Sequence, residues 1–476
     1  MFCTESVGWA QTAEEYIENA RVAQRAGNYK RAVDLWTRAI RSGADDAHVY
    51  LHRGLVYEKL GKNEEALKDY TKAAELDQRL ETAFNNRGSV YYRMGELDKA
   101  IEDFTRAITL NPAYALAHYN RGNAYLGKGD FHLAVADFTR AIEIDSSDPD
   151  PFNSRGWALL QEQKAESSIK DFDKALQLNP QYTLAYYNRG SAKLLTGDRE
   201  GSIQDFSKAI ELNPKYVLAY LQRGNAYLRK DDPDKAIEDF SKAVVIDPTF
   251  TELYNQRGWA FFQKGNIAQA LRDTSKAIQL NPSLAAAYAN RGWIYRSQGD
   301  LRRAVEDFTR AVELQDRSAS IYTHRALCYL DAGDRAKAMA DLEKAQSLEP
   351  DHPDILLTLG TLKELSGHYD TAVKFFTRLV QIKPDDPVAH FNLGSALGKQ
   401  GKLTEAIVGF TKSIELDPKF REAYLKRGIA YDFVGDRVRS RKDFDKALSL
   451  PEKKEKPDSL REPVNIAEVR AMLSAR

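Results

Sequence analysis

Apolar residues recur at helical spacing in two successive stretches of residues 81–114. The residues that share a face are Phe84, Gly88 and Tyr91 in the first stretch, and Ala100, Phe104 and Ala107 in the second. Gly95 lies where a helix can end in the left-handed conformation, and Pro112 blocks further growth of the second helix. The pattern predicts a helical hairpin whose apolar stripe is too large for the hairpin to bury alone.

The same pattern returns every 34 residues along the chain. A small residue occupies the position of Gly88 in each copy: Ala20, Gly54, Gly122, Gly156, Gly190, Gly224, Gly258, Gly292, Ala326, Gly360, Gly394 and Gly428. The register predicts thirteen tandem repeats: 13–46, 47–80, 81–114, 115–148, 149–182, 183–216, 217–250, 251–284, 285–318, 319–352, 353–386, 387–420 and 421–454. Residues 1–12 are predicted to be an N-terminal lead-in, and residues 455–476 a linker with a short C-terminal capping helix.

The period and the residue types resemble the tetratricopeptide repeat (TPR) family, whose repeat places an aromatic, a small residue, Tyr, Ala, Phe or Tyr, Ala and Pro at fixed offsets. The resemblance covers nearly the whole chain. It implies an all-α fold, an α-solenoid in which helix-turn-helix repeats form a right-handed superhelix. In this family the first helices of the repeats line the concave side.

Local signals distinguish the N-terminal end and two of the turns. Thr12 followed by Glu15 is a capping-box pattern for the first helix, and Trp9 is placed to staple against that helix. The turn of the fifth repeat has Gln163 where most repeats have glycine, and the seventh has Asp231. These two turns are therefore predicted to be less tightly defined than the others.

Composition limits the class of partner. The chain has 69 Lys and Arg and 69 Asp and Glu, so it lacks the basic surplus expected of a nucleic-acid or anionic-membrane binder. Two cysteines cannot form a disulfide framework and suit a reducing compartment. The sequence shows neither a signal-peptide pattern nor an apolar run long enough to span a bilayer. We expect a soluble, cytoplasmic protein, with a ciliary or cytoskeletal location as an alternative.

The seventh position of the repeat is unusual, because it is Arg in ten repeats where the family has Leu, and each of those repeats has Asp sixteen residues later. The pairs are Arg53–Asp69, Arg87–Asp103, Arg121–Asp137, Arg155–Asp171, Arg189–Asp205, Arg223–Asp239, Arg257–Asp273, Arg291–Asp307, Arg325–Asp341 and Arg427–Asp443. The other three repeats lose both partners together. We infer a structural ion pair between the two helices of each repeat. The alternative is that the arginines line the groove and bind acidic ligands.

No motif for catalysis is present. The chain lacks a phosphate-binding loop, a dinucleotide-binding glycine pattern, a zinc-protease motif and a nucleophile elbow. His48 and His52 are spaced i, i+4, but two ligands do not make a metal site. Cys328 is predicted to be an inert core thiol. The sequence therefore indicates a protein that is not an enzyme and has no cofactor, metal site or catalytic residue.

The resemblance to the TPR family also implies which residues line the groove: positions two, five, six, nine, twelve and thirteen of each repeat. On this sequence the groove candidates with large or aromatic side chains are Tyr119, Trp157, Tyr187, Trp259, Phe262 and Trp293, with Asn225 and Arg296. Large apolar residues that face solvent mark interaction sites, and Trp and Arg are enriched in binding hot spots. The alternative is that the tryptophans pack between neighbouring helices.

Asparagine recurs at the sixth position, at Asn86, Asn120, Asn188 and Asn290 among others. This resembles the asparagine ladder of the TPR superhelix of the O-linked N-acetylglucosamine transferase, where the amides hold a peptide backbone. The alternative is that the asparagines only link adjacent helices. Co-chaperone TPR modules clamp a terminal carboxylate with Lys at the fifth position, but Tyr119 and Leu221 precede the ninth-position asparagines here. The carboxylate-clamp mode is therefore excluded for this chain.

These observations predict a non-enzymatic scaffold for protein–protein interaction that binds a peptide or protein segment in the concave groove of repeats four to nine. One alternative is a structural subunit of a large assembly such as a ciliary or cytoskeletal complex. A second alternative is the targeting subunit of an enzyme complex. RNA binding is a third, weakened by the neutral net charge.

Overall fold

The computed structural model describes residues 12–315 and 317–451. Within these ranges the chain forms 26 α-helices and no β-strand. The helices divide into two compact units, with the boundary after Ile246. Trp9 and the predicted linker and capping helix of residues 455–476 lie outside the described residues.

The first unit holds α1 (Ala13–Arg25), α2 (Tyr29–Arg41), α3 (Ala47–Lys59), α4 (Asn63–Leu76), α5 (Glu81–Arg93), α6 (Leu97–Leu110), α7 (Ala115–Lys128), α8 (Phe131–Ile144), α9 (Pro149–Gln161), α10 (Ala165–Leu178), α11 (Thr183–Leu195), α12 (Arg199–Leu212), α13 (Val217–Arg229) and α14 (Pro233–Ile246). The odd-numbered helices are the first helices of their hairpins and the even-numbered ones are the second.

The second unit holds α15 (Thr251–Gln263), α16 (Ile267–Leu280), α17 (Ala285–Ser297), α18 (Leu301–Leu314), α19 (Ala319–Asp331), α20 (Arg335–Leu348), α21 (Pro353–Leu365), α22 (Tyr369–Ile382), α23 (Pro387–Lys399), α24 (Leu403–Leu416), α25 (Arg421–Phe433) and α26 (Arg437–Ser449). None of the helices in the described residues is both long enough and apolar enough to cross a lipid bilayer.

The capping box predicted at the start of α1 is confirmed. The backbone amide of Glu15 donates to the hydroxyl of Thr12 at 3.2 Å, and the Glu15 carboxylate accepts from the Thr12 amide at 3.1 Å. Both bonds satisfy amides that have no partner within the helix.

A tight turn joins the two helices of each hairpin, and one residue of the turn adopts a left-handed conformation. In the third hairpin this residue is Gly95, with φ of 79°, and the amide of Glu96 donates to the carbonyl of Tyr91 at 2.9 Å. Gln163 and Asp231 occupy the same place in two other hairpins, with φ of 62° and 60°. A Cβ makes this conformation costly, so these two turns carry backbone strain that glycine avoids.

The small residue of the first helix allows the second helix to pack closely. A Cβ placed on Gly88 of α5 would lie 2.9 Å from Cε1 of Phe104 in α6. A Cβ on Gly122 of α7 would lie 2.7 Å from Cε1 of Phe138 in α8. Both distances are shorter than a normal carbon–carbon contact. Glycine is therefore used here for close helix approach rather than for backbone freedom.

Consecutive hairpins share their hydrophobic core. Ala100, Phe104 and Ala107 of α6 are at most 1% exposed. Phe104 packs in one cluster with Ala124, which belongs to the first helix of the next hairpin. Burial of a phenylalanine contributes about 1.5–3 kcal/mol, and much of this is lost when the neighbouring hairpin is removed. The core therefore runs along each unit as a strip, as expected for a repeat array.

Two sets of contacts hold each unit together. The second helix of a hairpin packs against the first helix of the next, and consecutive first helices also contact one another, as α7 does with α9, α9 with α11, and α11 with α13. The contact between α20 and α21 is sparser than the other contacts of this kind in the second unit. We call the surface that the contacting first helices of a unit form its first-helix face.

Candidate functional site

The ten repeats with arginine at the seventh position each form a two-pronged ion pair with the aspartate sixteen residues later. In the third repeat the Nε of Arg87 donates to Oδ2 of Asp103 at 2.8 Å, and Nη2 donates to Oδ1 at 2.7 Å. Asp103 is only 4% exposed. Its hydrogen bonds raise the pKa of the Arg87 guanidinium above the usual range. The pair joins the two helices of one hairpin, as do Arg189–Asp205 and Arg223–Asp239.

The third guanidinium nitrogen of these arginines reaches the preceding hairpin. Nη1 of Arg87 donates to the hydroxyl of Thr71 in α4 at 3.3 Å. The same bond joins Arg53 to Thr37, Arg121 to Thr105, Arg155 to Thr139, Arg223 to Ser207, Arg291 to Ser275, Arg325 to Thr309 and Arg427 to Thr411, while Arg189 reaches Asp173. Each of these nine guanidinium groups therefore links three helices. An acidic ligand would have to displace these bonds.

The hydroxyl partner was missed by the sequence analysis, although a signal for it exists. Thr, Ser or Asp stands sixteen residues before each arginine of these linkages. The aspartate of the ion pair, sixteen residues after the arginine, belongs to the same 34-residue repeat as the arginine. The residue sixteen positions before the arginine belongs to the preceding repeat. Comparing positions only within a repeat could not reveal it.

The repeats without the ion pair use apolar packing or a closer helix contact at the same place. Leu359 is fully buried in the eleventh repeat, and Phe375 packs against the cluster that contains it. In the twelfth repeat a Cβ on Gly409 would lie 3.1 Å from the Cα of Gly394. Both partners change together because one charge without the other would be buried unpaired.

The sixth-position asparagines donate to asparagines of the preceding first helix. The bonds run from Nδ2 of Asn120 to Oδ1 of Asn85, from Asn188 to Asn153 and from Asn290 to Asn255, with lengths of 3.0, 3.0 and 2.9 Å. The side chain of Asn86 accepts a bond of 3.3 Å from Asn85. Asn188 is only 6% exposed. The amides of Asn120, Asn188 and Asn290 therefore link neighbouring first helices, which leaves them less able to hold a ligand backbone.

Two aromatic groove candidates of the first unit, Tyr119 and Tyr187, are half-buried. Tyr119 packs on the ring of Phe138, with centroids 5.8 Å apart. Tyr187 packs between Phe206 and Tyr216, at 5.8 and 5.1 Å, and burial raises its pKa. Their rings form part of the wall between hairpins. Asn225 is also half-buried.

Five apolar side chains of the first unit are exposed on consecutive first helices. The exposed fractions are 49% for Leu116, 37% for Trp157, 43% for Leu184, 67% for Leu195 and 40% for Leu218. They occupy the second, ninth and thirteenth positions, which fall within about 40° of one another around a helix of 3.6 residues per turn. We call this set the apolar face. Of its members only Trp157 was singled out by the sequence analysis as a site residue.

In the second unit, Trp259 and Phe262 pack on each other with ring centroids 5.3 Å apart and remain half-buried. Both lie on α15 at groove positions. They form an aromatic pair one helical turn apart on the first-helix face of that unit.

Trp293 and Arg296 are engaged with the neighbouring hairpin. The Trp293 ring meets the edge of His324 at a centroid distance of 4.4 Å. The Nε of Arg296 donates to Oδ2 of Asp331 at 2.8 Å, and its guanidinium lies 5.6 Å from the centre of the Trp293 ring. Burial lowers the pKa of His324 to about 4, so the ring is neutral at pH 7. These four side chains form one inter-repeat cluster.

The groups with possible chemistry are few in the described ranges. There, no set of three or more His, Cys, Asp and Glu side chains is arranged to hold a metal ion. Cys328 is buried, and burial raises its pKa to about 12, so the thiol stays protonated at pH 7.

Family models match most of the chain. A model described as "TPR repeat" matches residues 59–95, 88–129 and 192–231. Models described as "Tetratricopeptide repeat" match residues 115–148, 150–182, 217–250, 251–284, 285–317, 329–397 and 387–420. The comparison with curated protein sequences found no match.

Solved structures with similar folds include yeast Tom70, at 20% identity over 90% of this chain and 97% of that one, with a TM-score of 0.45. The Cut9–Hcn1 hetero-tetramer of the APC/C matches at 15% identity over 94% of this chain and 95% of that one, with a TM-score of 0.44. The MamA protein matches at 30% identity over 36% of this chain and 92% of that one, with a TM-score of 0.31.

Proposed function

Because the chain belongs to the tetratricopeptide repeat family, we propose that it is a non-enzymatic protein–protein interaction scaffold whose first-helix faces bind a peptide or protein segment of a partner. Tandem TPR hairpins present extended surfaces, and extended surfaces suit polypeptide ligands better than small molecules.

The apolar face of the first unit carries this proposal. Leu195 is 67% exposed and Leu116 is 49% exposed, although most large apolar side chains of the array are buried. Together with Trp157, Leu184 and Leu218 they are all of the exposed large apolar side chains on α7, α9, α11 and α13, so on these four helices the exposed apolar groups are concentrated on one side. A concentration of this kind marks an interaction surface.

The second unit contributes a separate surface to the proposal. Trp259 and Phe262 are half-buried on α15, and Trp is the residue type most enriched in binding hot spots. Trp293 is also half-buried, but it is engaged with His324 of the neighbouring hairpin. We therefore assign the main anchor of this surface to Trp259.

Affinity capture with the full chain tests the proposal. Three forms are compared: the wild type, the face variant Leu184→Gln with Leu218→Gln, and a control with Leu76→Gln and Leu133→Gln on second helices. The control is closely matched, because Leu76 and Leu133 are 40% and 46% exposed while Leu184 and Leu218 are 43% and 40% exposed. We expect a partner that the wild type and the control retain and the face variant loses.

The opposite pattern, in which only the control variant loses its partner, would support a structural subunit that assembles through its second helices. Enzymatic activity that co-purifies with all three forms would support a targeting subunit. A partner that all three forms retain equally would contradict binding at the apolar face.

A further inference from the structure

We infer that the ligand of the apolar face in the first unit is an amphipathic helix that binds through an uncharged stripe of leucine-like side chains. This inference rests on the proposed function and specifies its ligand. Three features of the face support it: the near-absence of charge, the engagement of the polar groups on α11, and the spacing of its leucines.

Charge is nearly absent from this part of the first-helix face. The positions two, five, six, nine, twelve and thirteen of α7, α9, α11 and α13 include only two charged residues, Asp150 and Arg229. Charged residues make up 29% of the chain, so about seven would be expected among these 24 positions. The carboxylate of Asp150 also lies beside the Tyr182 hydroxyl, whose pKa it helps to raise. A charged ligand side chain would lose hydration here without gaining a partner, which disfavours acidic and basic peptides.

On α11 the polar side chains of the face are engaged with the protein itself. Asn188 donates to Asn153 of α9, and the hydroxyl of Ser191 donates to the carbonyl of Tyr187. The Tyr187 hydroxyl lies beside Gln222 of α13. The α11 part of the face therefore offers few groups to a ligand backbone.

This engagement favours a helix over an extended strand. An extended strand would place unpaired N–H and C=O groups against apolar side chains, and each buried unpaired group is costly. A helix satisfies its backbone hydrogen bonds internally and can present apolar side chains alone. The ligand therefore enters the face as a helix in a groove.

The spacing of the leucines fits the same ligand. Leu184 and Leu218 hold the same register position on α11 and α13, which contact each other. Contacting helices lie about 8–10 Å apart. Residues seven apart on one side of a ligand helix are about 10.5 Å apart, so positions i and i+7 can meet the two leucines in turn.

Selection from a random peptide library tests this inference. The full chain is immobilised, and peptides of about 16 residues, or about four helical turns, are selected and then counter-selected against Leu184→Gln with Leu218→Gln. We expect the enriched peptides to share apolar residues at i, i+3 or i+4, and i+7, with no charge on that stripe. A synthetic copy should gain helical circular dichroism on binding. It should bind the face variant at least about tenfold more weakly and the Leu76→Gln, Leu133→Gln control almost unchanged.

The possible failures are distinguishable. Peptides that depend on the face but carry charge on their contact stripe, or that tolerate proline in their middle, would overturn the helical ligand and leave the proposed function standing. Selection that enriches no peptide, or only peptides that bind the face variant equally well, would overturn both. Circular dichroism of each variant verifies that the helices are intact.

Discussion

At the scale of single residues, the guanidinium of the seventh-position arginine joins three helices. Arg87 contacts Asp103 in the same hairpin and Thr71 in the preceding one. Its guanidinium also lies 5.6 Å from the centre of the Phe84 ring. Lysine could not replace it, because a single ammonium cannot form the two parallel bonds to the carboxylate and a third bond in another direction.

The ion pair predicts a non-additive mutational effect. Arg87→Leu alone leaves Asp103 buried without a partner and should lower the free energy of unfolding by about 3–5 kcal/mol. Arg87→Leu with Asp103→Phe copies Leu359 and Phe375 of the eleventh repeat, and should recover most of that loss. Urea unfolding and hydrogen exchange of α5 and α6 measure both variants. If the single and the double variant are equally destabilised, the buried charge is not the cause.

A pH effect is predicted for His324. Its pKa is lowered to about 4 by burial, whereas a histidine in an unfolded chain titrates near pH 6.5. Between these values the unfolded state binds a proton that the folded state does not, so stability falls as the pH is lowered. The contribution of the neutral His324 ring to the free energy of unfolding is fully present above about pH 6.5. At most about 3 kcal/mol of that free energy is lost by pH 4.

The measurement compares the wild type with His324→Asn, since asparagine is the most frequent residue at this position of the repeat. Urea unfolding at several pH values between about 7 and 4 should show that the variant loses less of its free energy of unfolding than the wild type does. The other titrating groups are common to both proteins. Parallel pH profiles for the two proteins would contradict the prediction.

At the scale of elements, the hairpin turns differ in a way that stability can report. Gln163 has φ of 62° where the preceding repeat has Gly129 with φ of 81°. A Cβ on Gly129 would meet no atom within 4 Å. The difference between the two turns is therefore conformational strain rather than a clash.

Exchanging the residues of these two turns should change stability in opposite directions. Gln163→Gly should raise the free energy of unfolding by about 1 kcal/mol, because it removes a left-handed conformation from a residue with a Cβ. Gly129→Gln should lower it by a similar amount. Denaturant midpoints of the two variants test this, and a loss of stability in both would show that the glutamine side chain makes a favourable contact.

At the scale of the whole molecule, stability depends on contacts between neighbouring hairpins. The core cluster around Phe104 includes a residue of the next hairpin, and each arginine linkage reaches the hairpin before. In an array of this kind cooperativity weakens with length, and a junction with fewer contacts is where it breaks first. The junction between α20 and α21 is the sparsest of its kind in the second unit.

Unfolding of the full chain should therefore not be two-state. We expect the calorimetric enthalpy to exceed the van't Hoff enthalpy. In native-state hydrogen exchange, the helices α21 to α24 should lose protection at a different denaturant concentration from α15 to α20. A single transition shared by all helices would contradict this expectation.

The family resemblance in the sequence suggested which positions line the groove, but it could not tell which of those side chains are exposed. Leu194 and Leu195 are neighbours and both occupy groove positions of the family, yet Leu194 is 9% exposed and Leu195 is 67% exposed. Leu194 packs against Ala226 of the next first helix. Adjacent residues point about 100° apart around a helix, and only the packing of α13 against α11 decides which of the two is covered.

The sequence by itself determined the hairpins, their number and the ion pair within ten of the repeats. These features depend on residues that are close in the chain: helical periodicity, the turn glycine such as Gly95, and the constant spacing of arginine and aspartate. The tertiary structure alone decided which asparagines are engaged, as Asn120 is with Asn85, and which leucines are left exposed, as Leu184 and Leu218 are. Those outcomes depend on how one hairpin stacks on the next, because the stacking sets which side chains of the first-helix face are covered.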